Sequence, residues 1–240
     1  MNDSVQIISL TSLAIVFIPV FVVLLIYIKW AMDVKEASYS IARMLLQLTI
    51  IGYILGFIFN AENGWILFGV LSVMLFASSW IALRTVKSAR VQLLGLSILS
   101  ILIGSISILL LILIGVLDLD PWYEPRYMIP LGGMILASAM NCISLSIDRL
   151  FSELKRNVPY SEARNTAFQA ALIPIVNSLF AVGLVTLPGM MTGQILSGVD
   201  PLIAARYQIM VMCMIFGATG ITTACFLLLS ERKIKKIHSQ

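Results

Sequence analysis

The chain has 240 residues, 60% of them hydrophobic and only 12% charged. A soluble domain carries about 25% charge, so a water-soluble fold is excluded and lipid is the solvent for most of the chain. The formal net charge of +4 does not indicate nucleic acid, because the cations sit in loops that alternate along the chain.

No stretch is left over for a separate soluble core. The whole of 1–240 is expected to be one all-α integral membrane domain with short loops. A crossing helix needs about 20 apolar residues, and seven segments qualify: 5–28, 44–60, 65–83, 93–117, 127–147, 167–187 and 207–229. None of them contains Asp, Glu, Lys or Arg.

The first segment begins on Met1-Asn2-Asp3-Ser4, without a basic flank. Its apolar core exceeds the roughly 7–15 residues of a secretory signal, so it is expected to remain as a span. The second is short, and Arg43 and Asn60 are expected at its interfaces, with Arg43 snorkelling to the headgroups. Ala61-Glu62-Asn63-Gly64 then reads as a tight turn. The fourth segment is followed by Asp118-Leu119-Asp120-Pro121-Trp122-Tyr123-Glu124-Pro125, whose acids and aromatics suit an interfacial belt.

In the fifth segment Gly133, Ala137 and Asn141 stand four apart and form a small face ending in an amide, with Ser138 and Cys142 beside it. Small faces let helices approach closely in lipid, and an amide there can bond across the interface. The loop 148–166 has a helical look, with an apolar stripe, Leu150, Phe151 and Leu154, beside Glu153, Lys155 and Arg156. Pro159 interrupts it, and Ser161-Glu162-Ala163 starts a second short helix. The loop reads either as a solvated connection or as a docking surface for a cytoplasmic partner.

The sixth segment carries Pro174, Asn177, Ser178 and Ala181. Asn141 and Asn177 either fasten helices together or line a pathway. LPGMMTGQILSG, 187–198, follows. The uncharged run 165–199 would be about 50 Å long as one helix, more than the ~30 Å hydrocarbon core. A break is therefore expected at Pro188-Gly189. The remainder, about 188–199, should be a short interfacial or re-entrant segment acting as an outer gate. Gly189, Gly193 and Ser197 would pack it on a neighbour, and Met190, Met191 and Gln194 would contact the solute. In the last segment Gly217, Gly220 and Ala224 make another close-packing face.

Fourteen of the sixteen Lys and Arg fall after the first, third, fifth and seventh segments. Only Arg126 and Arg206 lie on the other side. The positive-inside rule then places the N-terminus outside and the C-terminus in the cytoplasm. Cys142, Cys213 and Cys225 lie in apolar runs without CxxC spacing and read as buried inert thiols.

Several chemistries are missing. There is no Walker motif, so the chain does not hydrolyse nucleotide by that route. The one histidine, His238, lies in the tail, which removes HExxH chemistry and any His-dependent triad. Without acid, His or Lys in the spans there is no base for an intramembrane enzyme, no retinal Schiff base and no proton relay. No cofactor is expected, and the chain by itself is not an enzyme. If it transports, the energy comes from elsewhere. The twelve methionines offer soft thioethers suited to Cu(I) rather than to hard trivalent ions, and most read as packing residues, so no metal ligand set can be assigned.

Three stretches together, ARMLLQLTIIGYIL (42–55), IPLGGMILASAMNCISLSIDRL (129–150) and ALIPIVNSLFAVGLVTLPGMMTGQILSGVDPLIAARYQIMV (171–211), resemble the FetB-type iron-export permeases of ABC transporters. That family has plant relatives linked to aluminium tolerance. The resemblance runs from about residue 40 to 230. It implies a permease of the cell membrane that exports iron or another metal species, works as a homodimer and pairs with a separate cytoplasmic ABC ATPase. The ATPase would couple through 148–166, with Glu153, Arg156, Glu162 and Arg164 as the contacts. That segment is shorter than the family pattern by roughly a helix. The other readings are a seven-span receptor or scaffold without transport, and an ABC permease for a non-metal solute such as a sugar nucleotide.

Overall fold

The computed structural model describes residues 8–58 and 64–238. Among them every regular element is helical. The expected turn at Ala61-Glu62-Asn63 and the interface role of Asn60 lie outside the described residues. The chain divides into two compact units, 1–61 and 62–240.

The first unit holds α1 (Leu10–Ile15), α2 (Phe17–Lys29) and α3 (Val34–Ile58). Ser9 caps α1, accepting a bond from Ser12 N at 3.1 Å. The break at Val16 follows from Pro19, which has no N–H and whose ring would collide with the carbonyl four residues earlier in a continuous helix. Asp33 caps α3 by accepting from Glu36 N at 3.0 Å. α3 thus begins ten residues before the predicted segment 44–60. Its early turns carry Lys35, Glu36 and Arg43, and Arg43 lies inside the helix rather than at its start. No residue of α2 is buried within the protein, as expected of a helix whose surroundings are lipid.

The second unit is a helical bundle. α4 (Gly64–Ala82) is followed by α5 (Arg90–Ile101), which runs through a π-helical turn, Leu102–Ile106, into α6 (Ser107–Leu110) and a second π-helical stretch, Leu111–Val116. Then come α7 (Pro125–Lys155), α8 (Tyr160–Ala181), α9 (Gly189–Leu196) and α10 (Pro201–His238). α7 is central and packs on α4, α8 and α10. Its buried positions Met128, Gly132, Ile135, Ala139, Cys142, Ser146, Leu150 and Glu153 recur every three or four residues. They give one continuous seam along the helix. α10 fills the other side with Ala204, Val211, Met214, Ala218, Phe226 and Ile234.

α8 approaches closely because Ala163, Ala167 and Ala171 are its buried face, a small-residue seam of the kind that lets helix backbones meet in lipid. Cys142 Sγ donates to Ala171 O at 3.3 Å. At the other end of the seam Tyr160 Oη donates to Leu227 O at 2.6 Å. The basic segments share this end of the unit: Lys233 Nζ reaches Gln92 O at 3.1 Å, and Lys235 Nζ lies 5.4 Å from the Tyr160 ring.

Several expectations change. The loop 148–166 is not a loop. α7 runs to Lys155, α8 starts at Tyr160, and four residues connect them. Leu150 and Leu154 are core residues of the hairpin, and Pro159 is the N-cap of a full-length helix rather than an interruption before a short one. The sixth predicted segment ended at 187, but α8 stops at Ala181. Val182 is extended and Gly183 has φ +83, the left-handed conformation that a glycine after a helix end adopts without steric penalty. The break therefore comes six residues before Pro188. Of the cysteines only Cys142 is buried; Cys213 is exposed and Cys225 half-buried.

Among the described residues six helical stretches are long and apolar enough to cross a membrane. The predicted span missing from these six is the sixth, α8. Glu162, Arg164, Asn165 and Gln169 in its first half make it too polar to qualify on hydropathy. At 22 residues it nevertheless spans about 33 Å.

Candidate translocation site

α8 has two unlike faces. One is the alanine seam. On the other, Glu162, Asn165, Gln169, Ile173 and Asn177 follow one another three or four residues apart, and all are exposed. In a helix that spacing keeps them on one side. Asn177, the predicted pathway residue, belongs to this row. Pro174 and Ser178 stand beside it, the Ser178 hydroxyl donating back to Pro174 O at 2.9 Å. Asn141 is also exposed, on α7 next to the buried Cys142. Amides on the outside of a bundle that lives in lipid need a polar partner, a second protein surface or water.

The row begins at a cavity of about 380 Å³ between α8 and α10. Arg164, Asn165, Phe168 and Gln169 form its α8 wall, and Ala224, Leu227 and Leu228 its α10 wall. Arg164 Nε and Nη2 donate to Asn165 Oδ1 at 3.4 and 3.3 Å. Next to the cavity the Tyr160 phenol is buried and donates to Leu227 O.

At the far end, α9 follows the turn after α8. Its N-terminus starts at Pro188 as predicted, but its faces are reversed. Gly189, Gly193 and Ser197 are exposed, and a Cβ at either glycine would meet nothing within 4 Å. Met190, Met191 and Gln194 are the half-buried face, and α9 packs on α10. Gln194 Oε1 is buried without a hydrogen-bond partner, as is Gln208 Oε1 on α10. An unpaired buried carbonyl oxygen costs about 1–3 kcal/mol.

The four predicted coupling residues separate. Glu153 is buried, and its carboxylate is held by Arg149 at 2.5 Å and Arg156 at 3.7 Å. It closes the end of α7 rather than facing a partner. Arg156 and Glu162 are exposed on either side of the connection, while Arg164 lines the cavity.

Among the described glycines, the tightest surroundings lie at a residue the sequence reading passed over. A Cβ on Gly104 would come within 2.5 Å of Thr222 N and 2.7 Å of Thr222 Cα. Ser105 Oγ and Thr222 Oγ1 are hydrogen-bonded at 3.0 Å. The π-helical turn at Leu102–Ile106 carries both Gly104 and Ser105. The signal was available in the Gly104-Ser105 pair inside an otherwise apolar run. By contrast Gly217 and Gly220, expected to pack closely, have open space where a Cβ would go. Among the described residues no three His, Cys, Asp or Glu side chains come together as a metal cage.

A family model described as "Uncharacterised protein family (UPF0014)" matches residues 10–234. A UPF0014 membrane protein of Synechocystis is 35% identical over 82% of both chains. The protein ALUMINUM SENSITIVE 3 of Arabidopsis thaliana is 35% identical over 78% of this chain and 73% of its own. The probable iron export permease protein FetB of Escherichia coli is 33% identical over 90% of this chain and 89% of its own. No solved structure matches the chain. With its apolar helices and a match covering nearly the whole chain, this multi-span membrane protein belongs to the UPF0014 family.

Proposed function

We propose that the chain is the permease subunit of an ABC-type exporter in the cell membrane, moving a metal species, iron first among them, with ATP hydrolysed by a separate subunit. The observation that carries this reading is the exposed amide row of α8. A helix long enough to cross the bilayer keeps Asn165, Gln169 and Asn177 on its outer side, and polar groups at depth belong to pathways. The similarity to a relative named as a probable iron export permease supplies the cargo class.

In this reading α8 is the seventh crossing, the basic end of the second unit is cytoplasmic, and a second copy closes the polar face. The tip of the α7–α8 hairpin meets the ATPase through Arg156 and Glu162. ATP binding would close the two ATPases, pull on the hairpins and switch the helices between inward- and outward-open states. Asn141, Asn177, Met190, Met191 and Gln194 line the path or its outer gate.

The test is reconstitution with the ABC ATPase that co-purifies from the native host. ATP-dependent movement of iron in vesicles is expected. Recovery of the chain alone under mild detergent and cross-linking, with no flux when an ATPase is supplied, would leave a receptor or scaffold in its place. The double variant Met190→Ala, Met191→Ala tests the gate: flux should fall several-fold or lose its metal preference. Wild-type flux with unchanged preference reduces α9 to packing.

A further inference from the structure

We propose that the cavity between α8 and α10 is an entry site for an anionic complex of the cargo, one that presents carboxylate or phosphate oxygens to Arg164, Asn165 and Gln169. The inference rests on the transport reading above and names the chemical class of its solute.

The cavity's polar wall carries a cation and two amides. A guanidinium has five N–H donors and no acceptor. Two nitrogens of Arg164 share one carbonyl oxygen, Asn165 Oδ1, which tethers the group at the cavity wall and leaves it more donors than that oxygen can take. Asn165 and Gln169 add amide N–H₂ groups. Phe168, Ala224, Leu227 and Leu228 form the rest of the lining, and an apolar wall strengthens the pull of a charge by lowering the local dielectric.

Two acids stand near this wall. Glu231, on the α10 side, is held by Lys235 at 2.7 Å and also lies within reach of Arg164 and Arg232, and Glu162 precedes Asn165 by three residues on the exposed row of α8. The Tyr160 phenol is engaged by Leu227 O. A volume of about 380 Å³ is that of a small-molecule pocket. With donors still open on Arg164 and amides at Asn165 and Gln169, a chelate with surplus negative oxygens would be held at this wall and delivered to the first amides of the α8 row. Guanidinium–carboxylate and guanidinium–phosphate pairing is the strong, geometrically matched interaction that such a site offers.

The experiment uses the full-length protein in nanodiscs of phosphatidylcholine, with radiolabelled ferric citrate, citrate alone and ferrous iron alone as probes. Position 169 supplies a sign test that misfolding cannot imitate. Gln169→Glu should weaken ferric citrate binding about tenfold or more, and Gln169→Lys should keep or tighten it. Arg164→Gln should also lose about tenfold, the equivalent of one charge-assisted hydrogen bond, with Arg164→Lys retaining most of the affinity. Citrate alone should compete.

Ferrous iron binding with the opposite dependence on the charge at 169 overturns the proposal. So does equal weakening by both Gln169 variants, or no change in any variant. Loss of ferric citrate binding when phosphatidylglycerol is added at a few mole per cent assigns the cavity to a lipid headgroup and overturns it as well. Flux measured in parallel separates the two readings. ATP-driven iron movement indifferent to all four variants sinks this inference alone. Ferric citrate binding with the expected signs but without flux sinks the transport reading and leaves the site.

Discussion

Of the described glycines, Gly104 has the least room for a side chain. The π-helical turn moves the backbone of the Arg90–Val116 rod against α10, and Thr222 N and Cα stand where any Cβ would go. The obstacle is main chain, so no rotamer change relieves it. Gly104→Ala should cost about 1–3 kcal/mol, the range for over-packing a filled core, and lower the thermal midpoint in detergent by several degrees. Adding Thr222→Gly removes the hydroxyl but not the backbone atoms, so it should not restore the midpoint. Gly217→Ala, with open space around it, should stay near wild type. If Gly104→Ala is as stable as Gly217→Ala, the close approach is not real. The contrast also shows why this was hard to read in the sequence. Small residues four apart announce that a close approach is possible. Whether a partner arrives depends on the depth and rotation of a helix far away in the chain.

At the scale of elements, the packing face of α7 was misjudged. Gly133, Ala137 and Asn141 were expected to meet a neighbour, but Ala137 and Asn141 are exposed. The buried seam runs through Gly132, Ile135, Ala139 and Cys142, because the larger apolar residues rather than the small ones set the rotation of the helix. The end of α8 was not legible either. VGLVTL carries no charge and no proline, so it continues an apolar run without a visible stop. Only Gly183, as the first residue past a helix, gave a cue, and glycine inside a membrane helix is too common to be decisive. The α7–α8 hairpin was half legible: its helical look and the restart near Ser161 were visible, but its polar residues suggested a loop with short helices, whereas Glu153 is neutralised by Arg149 and Arg156 and α7 simply continues to a four-residue connection. This changes the coupling experiment. Reversing Glu153 would bury an unpaired charge and damage the fold. Glu162→Lys, at an exposed position, should leave stability within about 0.5 kcal/mol, whereas Arg156→Glu removes one partner of the buried Glu153 and sets a like charge beside it, so it should cost more. Each should reduce substrate-stimulated ATPase several-fold if the hairpin tip meets the ATPase, and the combined reversal should not restore it, because the lost partners lie on the other protein. Unchanged stimulation would move the contact elsewhere.

At the scale of the molecule, the unresolved demand is the outward side of α8. Hydropathy alone leaves α8 out of the crossing helices because its amides lower the average. Those same amides make it the helix that lipid cannot cover. A second copy resolves the conflict, provided the two α8 rows face each other across a shared path. The prediction is a cross-link. With Cys213 replaced by Ser, since it is exposed and reactive surface is otherwise ambiguous, Asn177→Cys should form a disulfide-linked dimer in native membranes on mild oxidation. Val73→Cys, on an exposed apolar position of α4 at 69% exposure, should not. A disulfide requires Cα atoms within about 7 Å, so the product reports adjacency rather than collision. Addition of the partner ATPase with a non-hydrolysable nucleotide should change the yield, because a path between two copies must widen or narrow as its ends alternate. Equal cross-linking at 73 and 177 would mean diffusive encounter. Absence at 177 in the presence of a purified dimer would place the contact on another helix and return the α8 amides to a water-filled groove within one copy.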